Sequence, residues 1–182
     1  MYCKLPLILI TLGCLTTIQN AKRPFQLIWT TYNCTKFGER VTYLKCNLTK
    51  LAKGYAPELW IEFQSQLSED LDTEMIITYR LPKSPRIVKF LNHRHNLCNA
   101  IKHMQTLPFY NEGFVRIMRY TSLPCNCPIK GKTRYNITNF VFTEDLLPPF
   151  TPPLSFNYSF ALYENDIKTS CISASGDIIR KK

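Results

Sequence analysis

The chain has 182 residues, 45% of them hydrophobic, and a formal charge of +10. That length and apolar content suit one domain with a core of its own and exclude a disordered polyelectrolyte. The basic residues are dispersed, densest only at Arg180-Lys181-Lys182, which argues against a nucleic-acid groove and for a solvated basic surface with some attraction to acidic glycans or anionic head groups.

Residues 1–21 read as a secretory signal peptide. Lys4 supplies the positive start, Leu5 to Leu15 the apolar run, and Ala21 the small residue at the expected cleavage point. The run is too short to span a bilayer, which needs roughly 20 apolar residues, and no other segment reads as transmembrane. Cys3 and Cys14 would leave with the signal, and six cysteines remain: Cys34, Cys46, Cys98, Cys125, Cys127 and Cys171. An even count in an exported chain implies disulfides, with the connectivity left open. Four sequons, at Asn33, Asn47, Asn136 and Asn157, point the same way. The expected organisation is a signal over 1–21, one domain over 22–179 and a basic tail over 180–182.

Phe25 to Thr31 and Val41 to Leu51 are the first expected strands, joined by the polar segment Thr35 to Arg40 as a hairpin loop. Cys34 and Cys46 flank that loop, where a cross-strand bridge fits. Leu59 to Phe63 and Glu74 to Leu81 follow, separated by the acidic turn Ser68-Glu69-Asp70, and Pro85 introduces a fifth strand over Arg86 to Leu91. Short strands at this spacing predict a sandwich. After Asn96 the period changes: Leu97, Ile101 and Met104 fall on one helical face until Pro108 interrupts. Phe114, Ile117 and Met118 fit a second short helix, although Phe114 to Ile117 also fits a strand.

Tyr135 to Thr143 reads as a strand, and the proline-broken stretch Leu147 to Pro153 continues neither a helix nor a central strand. Leu154, Phe156, Tyr158, Phe160 and Leu162 then alternate with mostly small or polar residues, the pattern of a strand with one buried face. Ala161 and Tyr163 take the other face. Thr169 to Ile179 is the expected last strand and holds Cys171. Pro128 directly follows Cys127 and stiffens the chain beside a disulfide anchor.

No catalytic motif appears: no Gly-x-Ser-x-Gly elbow, no His-Glu-x-x-His helix and no glycine-rich phosphate loop. The pair Glu144-Asp145 would point to opposite faces of a strand and reads as a strand end or a turn cap. His93-Arg94-His95, with Cys98 and His103, superficially resembles a metal cluster. Arg94 sets a positive charge beside any cation and Cys98 is expected in a disulfide, so a solvated polar turn is the better reading. The expectation is a non-enzyme with no metal and no cofactor.

Cys127-Pro128, Tyr135 with Asn139, the Leu147-Pro148-Pro149 break and the aromatic strand after it carry a resemblance, joined upstream by Cys34, Cys46 and Cys98. The chain resembles the insect family of small secreted proteins that includes the CheB-type chemosensory proteins, itself similar to the ML lipid-recognition domains. The resemblance implies a mostly β, immunoglobulin-like (ML-type) sandwich with one or two short helices between Cys98 and Cys127. It implies disulfides Cys34–Cys46 and Cys98–Cys127, leaving Cys125–Cys171, with Cys34–Cys171 as the rival scheme. Two departures stand out: Asn96 where many relatives carry an acidic residue, and Cys125 unusually close to Cys127.

The implied function is binding of a lipid or other hydrophobic small molecule between the sheets, in insect gustatory or pheromone sensing. Phe156, Tyr158, Phe160, Leu162, Ile77 and Tyr79 are the expected lining. The alternative is an extracellular interaction module for a sensory receptor or ion channel, with no bound ligand. Aromatic residues fill the solid core of any sandwich, and a carrier instead splays its sheets around a cavity, typically ~300–1,000 Å³.

Overall fold

The computed structural model describes residues 23–104, 119–124 and 126–181. The expected signal peptide, the second expected helix at Phe114 to Met118, and Cys125 lie outside the described residues. The strands are β1 (Phe25–Lys36), β2 (Val41–Lys50), β3 (Tyr55–Phe63), β4 (Asp72–Arg80), β5 (Ile87–Asn96), β6 (Arg134–Ile137), β7 (Leu154–Glu164) and β8 (Ile167–Arg180). One α-helix, α1 (Leu97–Met104), follows β5, and a 3-10 turn, Glu144–Leu146, precedes β7. The strands form two antiparallel sheets, β1-β8-β7-β4-β5 and β2-β3-β6, and the class is the expected mostly β sandwich.

β1 and β2 are consecutive but lie in different sheets. The hairpin expected from the sequence is therefore an arch. β1 pairs along its length with β8, from Phe25 opposite Arg180 to Lys36 opposite Ser170, so β2 crosses the core to meet β3. Cys34–Cys46 closes this arch between the sheets, with Cα atoms 5.9 Å apart.

β5 is longer than expected and carries His93-Arg94-His95 within the strand, not in a turn, with Thr73 opposite His95. Asn96 ends β5 and caps α1: its Oδ1 accepts the Asn99 amide at 2.9 Å, while its Nδ2 donates to the Glu69 carbonyl at 2.6 Å. Amide caps of this kind satisfy orphan helix donors, which gives the departure at Asn96 a structural role. Cys98 on α1 is bridged to Cys127, next to the cis Cys127–Pro128 peptide.

β6 is only four residues long, against an expected strand to Thr143. Asn139 takes a left-handed conformation (φ 61) that breaks the ladder, and Phe142 then bridges alone to Tyr55. β7 and β8 form a hairpin that the sequence reading missed. Its turn is Asn165-Asp166, with φ values of 53 and 62, as two-residue primed turns require. Arg180, expected in the tail, belongs to β8, and the Lys181 amide donates to the Pro24 carbonyl at 3.0 Å.

The core has two parts. Near the β7–β8 turn, Val41, Ile61, Phe63, Leu67, Leu71, Ile129, Tyr135 and Leu162 pack together. Toward the opposite end Phe25, Leu27 and Ile178 pack with Trp29, Phe142, Leu147, Leu154 and Phe156. The first part is anchored by Arg40, whose Nη2 donates to Glu164 Oε1 at 2.6 Å and to the Gln66 carbonyl at 2.8 Å.

Candidate functional site

Directly opposed residues of neighbouring strands share a face. Along β4 and β7 the register sets Met75 against Phe160, Ile77 against Tyr158, and Tyr79 against Phe156. Thr73 stands against Leu162 in the same way. The six residues expected to line a ligand site, Phe156, Tyr158, Phe160, Leu162, Ile77 and Tyr79, therefore sit on one face of the larger sheet. That face looks onto the smaller sheet, because Leu162 and Phe160 pack against Val41, Ile61, Phe63 and Tyr135.

The six do not share one environment. Leu162 is buried in the first core cluster and Phe160 packs on it. Phe156 packs on the second. Tyr158 falls between the two clusters, and its row continues through Ala174 on β8 to Tyr32 on β1. The small residues Ala174 and Gly176 run between the rings. A Cβ at Gly176 would collide with the Ile28 carbonyl and lie 2.8 Å from the Phe156 ring, so close approach requires glycine there.

Trp29 is the centre of this belt and was not singled out from the sequence. Its ring centroid lies 5.5 Å from Phe142, 5.9 Å from Tyr32, 6.3 Å from Tyr55 and 6.4 Å from Phe156. These are the distances of edge-to-face and offset aromatic packing. Its Nε1 is buried with no hydrogen-bond partner among the described residues. Buried donors are nearly always satisfied, so this N–H is a donor available among surrounding rings.

Burial raises both neighbouring phenols, Tyr32 to about 12 and Tyr158 still further, with Tyr32 and Cys171 adding to the effect on Tyr158. The belt is thus a low-dielectric place that favours neutral groups. It offers aromatic walls and one unused donor, which suits an apolar molecule carrying a hydrogen-bond acceptor. Alternation of Phe25, Leu27 and Trp29 on β1 was the available signal. What hid the site is a bulge between Trp29 and Thr31, which brings Tyr32 onto the same face as Trp29 despite their odd spacing.

The other face of the larger sheet is mixed, with Ile76 opposite Ser159 and Ile28 opposite Asp177. Asn157 and Asn33 are exposed there, with Asn157 opposite Ser175. The remaining sequon asparagines lie on the smaller sheet: Asn47 donates to Glu58 at 3.0 Å, and half-buried Asn136 stands opposite Trp60. Cys171 lies on that outer face, 3.5 Å from Ser159 Oγ, with no disulfide partner among the described residues. It is not joined to Cys34, and its expected partner Cys125 lies outside the described residues.

The histidine segment lies within β5. His93 and His95 stack with ring centroids 5.0 Å apart. Thr73 Oγ1 donates to the His95 carbonyl at 3.2 Å. Burial lowers the His95 pKa, the charge of His93 lowers it further, and Asp72 opposes the shift. Arg94 lies between Asp72 and Asp166, at 3.1 and 2.5 Å, and over the Tyr163 ring. Cys98 is consumed by its disulfide, so it cannot serve as a ligand. Glu144 and Asp145 open the 3-10 turn and pair with Lys181 and Arg23.

Residues 74–158, from β4 to the middle of β7, match the model of a family described as a protein of unknown function, DUF1091. The match takes in Ile77, Tyr79, Cys98, Cys127, Phe156 and Tyr158. No curated protein matches the chain.

Proposed function

We propose that this chain is a secreted, non-catalytic binder of a lipid or other hydrophobic small molecule, held between the sheets against the Trp29–Tyr32–Phe156–Tyr158 belt. The observation that carries the reading is the Trp29 N–H, buried among rings with no hydrogen-bond partner among the described residues. A ligand acceptor such as a carbonyl, carboxyl or hydroxyl oxygen would satisfy it, and an acyl chain would gain roughly 0.8 kcal/mol per buried methylene before ordering costs. The two disulfides suit an oxidising compartment. No helix among the described residues is long and apolar enough to cross a membrane. The resemblance to the CheB-type proteins supports a role in insect gustatory or pheromone sensing, with a sensory receptor or channel as the proposed recipient.

Native mass spectrometry with organic extraction, on protein secreted from insect cells, tests the proposal. The expected result is a hydrophobic compound at near-unit stoichiometry, lost in Trp29→Ala. A clean apo-protein that also ignores added fatty acids, sterols and hydrocarbons refutes it and favours the ligand-free receptor module.

A further inference from the structure

The register gathers several separate segments at one end of the sandwich. Arg80 stands opposite Ser155, Leu154 opposite Ile178, and Arg180 opposite Phe25. The β4–β5 hairpin tip (81–86), the connection entering β7 (148–153) and both ends of the described domain therefore lie together. This end is basic and greasy at once. Phe150 is 84% exposed, Ile87 64% and Leu81 43%. Around them stand Arg80, Lys83, Arg86 and Arg180, none paired with a carboxylate among the described residues. The acids at this end are engaged: Glu144 by Lys181, Asp145 by Arg23, and Asp177 by the Ser155 hydroxyl at 2.6 Å.

One of these cations sits at the hairpin apex. The Ser84 amide donates to the Leu81 carbonyl at 3.1 Å, closing a turn with Pro82 and Lys83 at its centre. Lys83 has φ 63, a conformation that glycine or asparagine adopts more readily. The turn thereby presents Lys83 at the hairpin tip.

From this we infer that this end of the sandwich docks on an anionic phospholipid surface. Leu81, Ile87 and Phe150 enter the headgroup layer while Arg80, Lys83, Arg86 and Arg180 meet the phosphates. The apolar residues protrude singly from two different segments, with cations between them. That pattern fits shallow insertion into an interface better than a flat apolar patch fits a protein partner. The inference does not depend on a ligand between the sheets.

Cosedimentation of the purified chain with phosphatidylcholine–phosphatidylserine vesicles, and with phosphatidylcholine alone, tests it. Each cation near an anionic surface changes partitioning by about fivefold. Lys83→Glu with Arg86→Glu should therefore weaken binding by at least ~25-fold, and Phe150→Ser by about tenfold. All of these residues are exposed, and an unchanged melting transition will show that the variants fold. Lys132→Glu, on the 130–132 loop that joins Phe63 at the far end, should leave binding intact. Failure to bind the anionic vesicles overturns the proposal. Equal binding to phosphatidylcholine alone, or a Lys132→Glu loss as large as the double reversal, also overturns it.

Discussion

Replacing Trp29 by Phe separates a ligand site from a packed core. The phenyl ring keeps the contacts to Phe142, Tyr55 and Phe156 but removes the N–H that has no partner among the described residues. Phe buries roughly 50 Å² less than Trp, a loss of about 1.3 kcal/mol at ~25 cal/mol per Å². Against this stands relief of an unsatisfied buried donor, worth about 1–3 kcal/mol. The two terms largely offset, so the stability of the ligand-free protein should change by less than ~2 kcal/mol in either direction. A ligand bonded to Nε1 would lose about 0.5–1.5 kcal/mol, weakening its binding roughly 2- to 13-fold. Urea denaturation followed by far-UV circular dichroism reads the first quantity. Displacement of a fluorescent hydrophobic probe reads the second. Destabilisation above ~3 kcal/mol with unchanged uptake would refute the argument, because it would mean that the indole is only a well-packed core residue.

The remaining predictions concern the frame around the belt. The raised pKa of Tyr32, about 12 against roughly 10 in an unfolded chain, means that the folded state holds this proton more tightly. Its contribution of about 2–3 kcal/mol is present below pH ~10 and lost as pH rises toward ~12. Tyr32→Phe should therefore flatten the alkaline fall in stability, and an unchanged pH profile would show that the phenol is solvated. Replacing Cys34 and Cys46 together by Ser should cost about 3 kcal/mol by releasing the arch, read as a lower urea midpoint; no shift would mean that packing alone holds β2 across the core. Glu164→Ala removes the carboxylate that Arg40 and the Ser68 amide both use, and should cost ~2 kcal/mol. A loss below ~0.5 kcal/mol would class it with ordinary surface ion pairs.

Much of the fold is legible because strand periodicity is local. The alternation from Leu154 to Leu162 correctly assigns those side chains to one face, and the step from Leu97 to Ile101 correctly marks a helix. Elements defined by one residue's backbone were harder to see. Asn139 ends β6 early, and Asn165-Asp166 makes the β7–β8 turn; the second of these was readable as a turn-forming pair. The arch between β1 and β2 was not, since a connection as short as Thr35 to Arg40 fits a hairpin and a sheet-to-sheet crossing equally well. Its form is decided by β8, far away in sequence, which occupies the pairing edge of β1.

The sequence by itself determined the class, most of the strands and the one-sided aromatic strand, all of which follow from side-chain period and residue chemistry. Only the tertiary structure decided which rings meet Trp29, and that Leu162 and Phe160 belong to the packed core. It alone assembled the basic, apolar end. Those outcomes depend on register between distant strands and on one bulged residue at Thr30, and a single-residue shift of register moves every side chain to the opposite face.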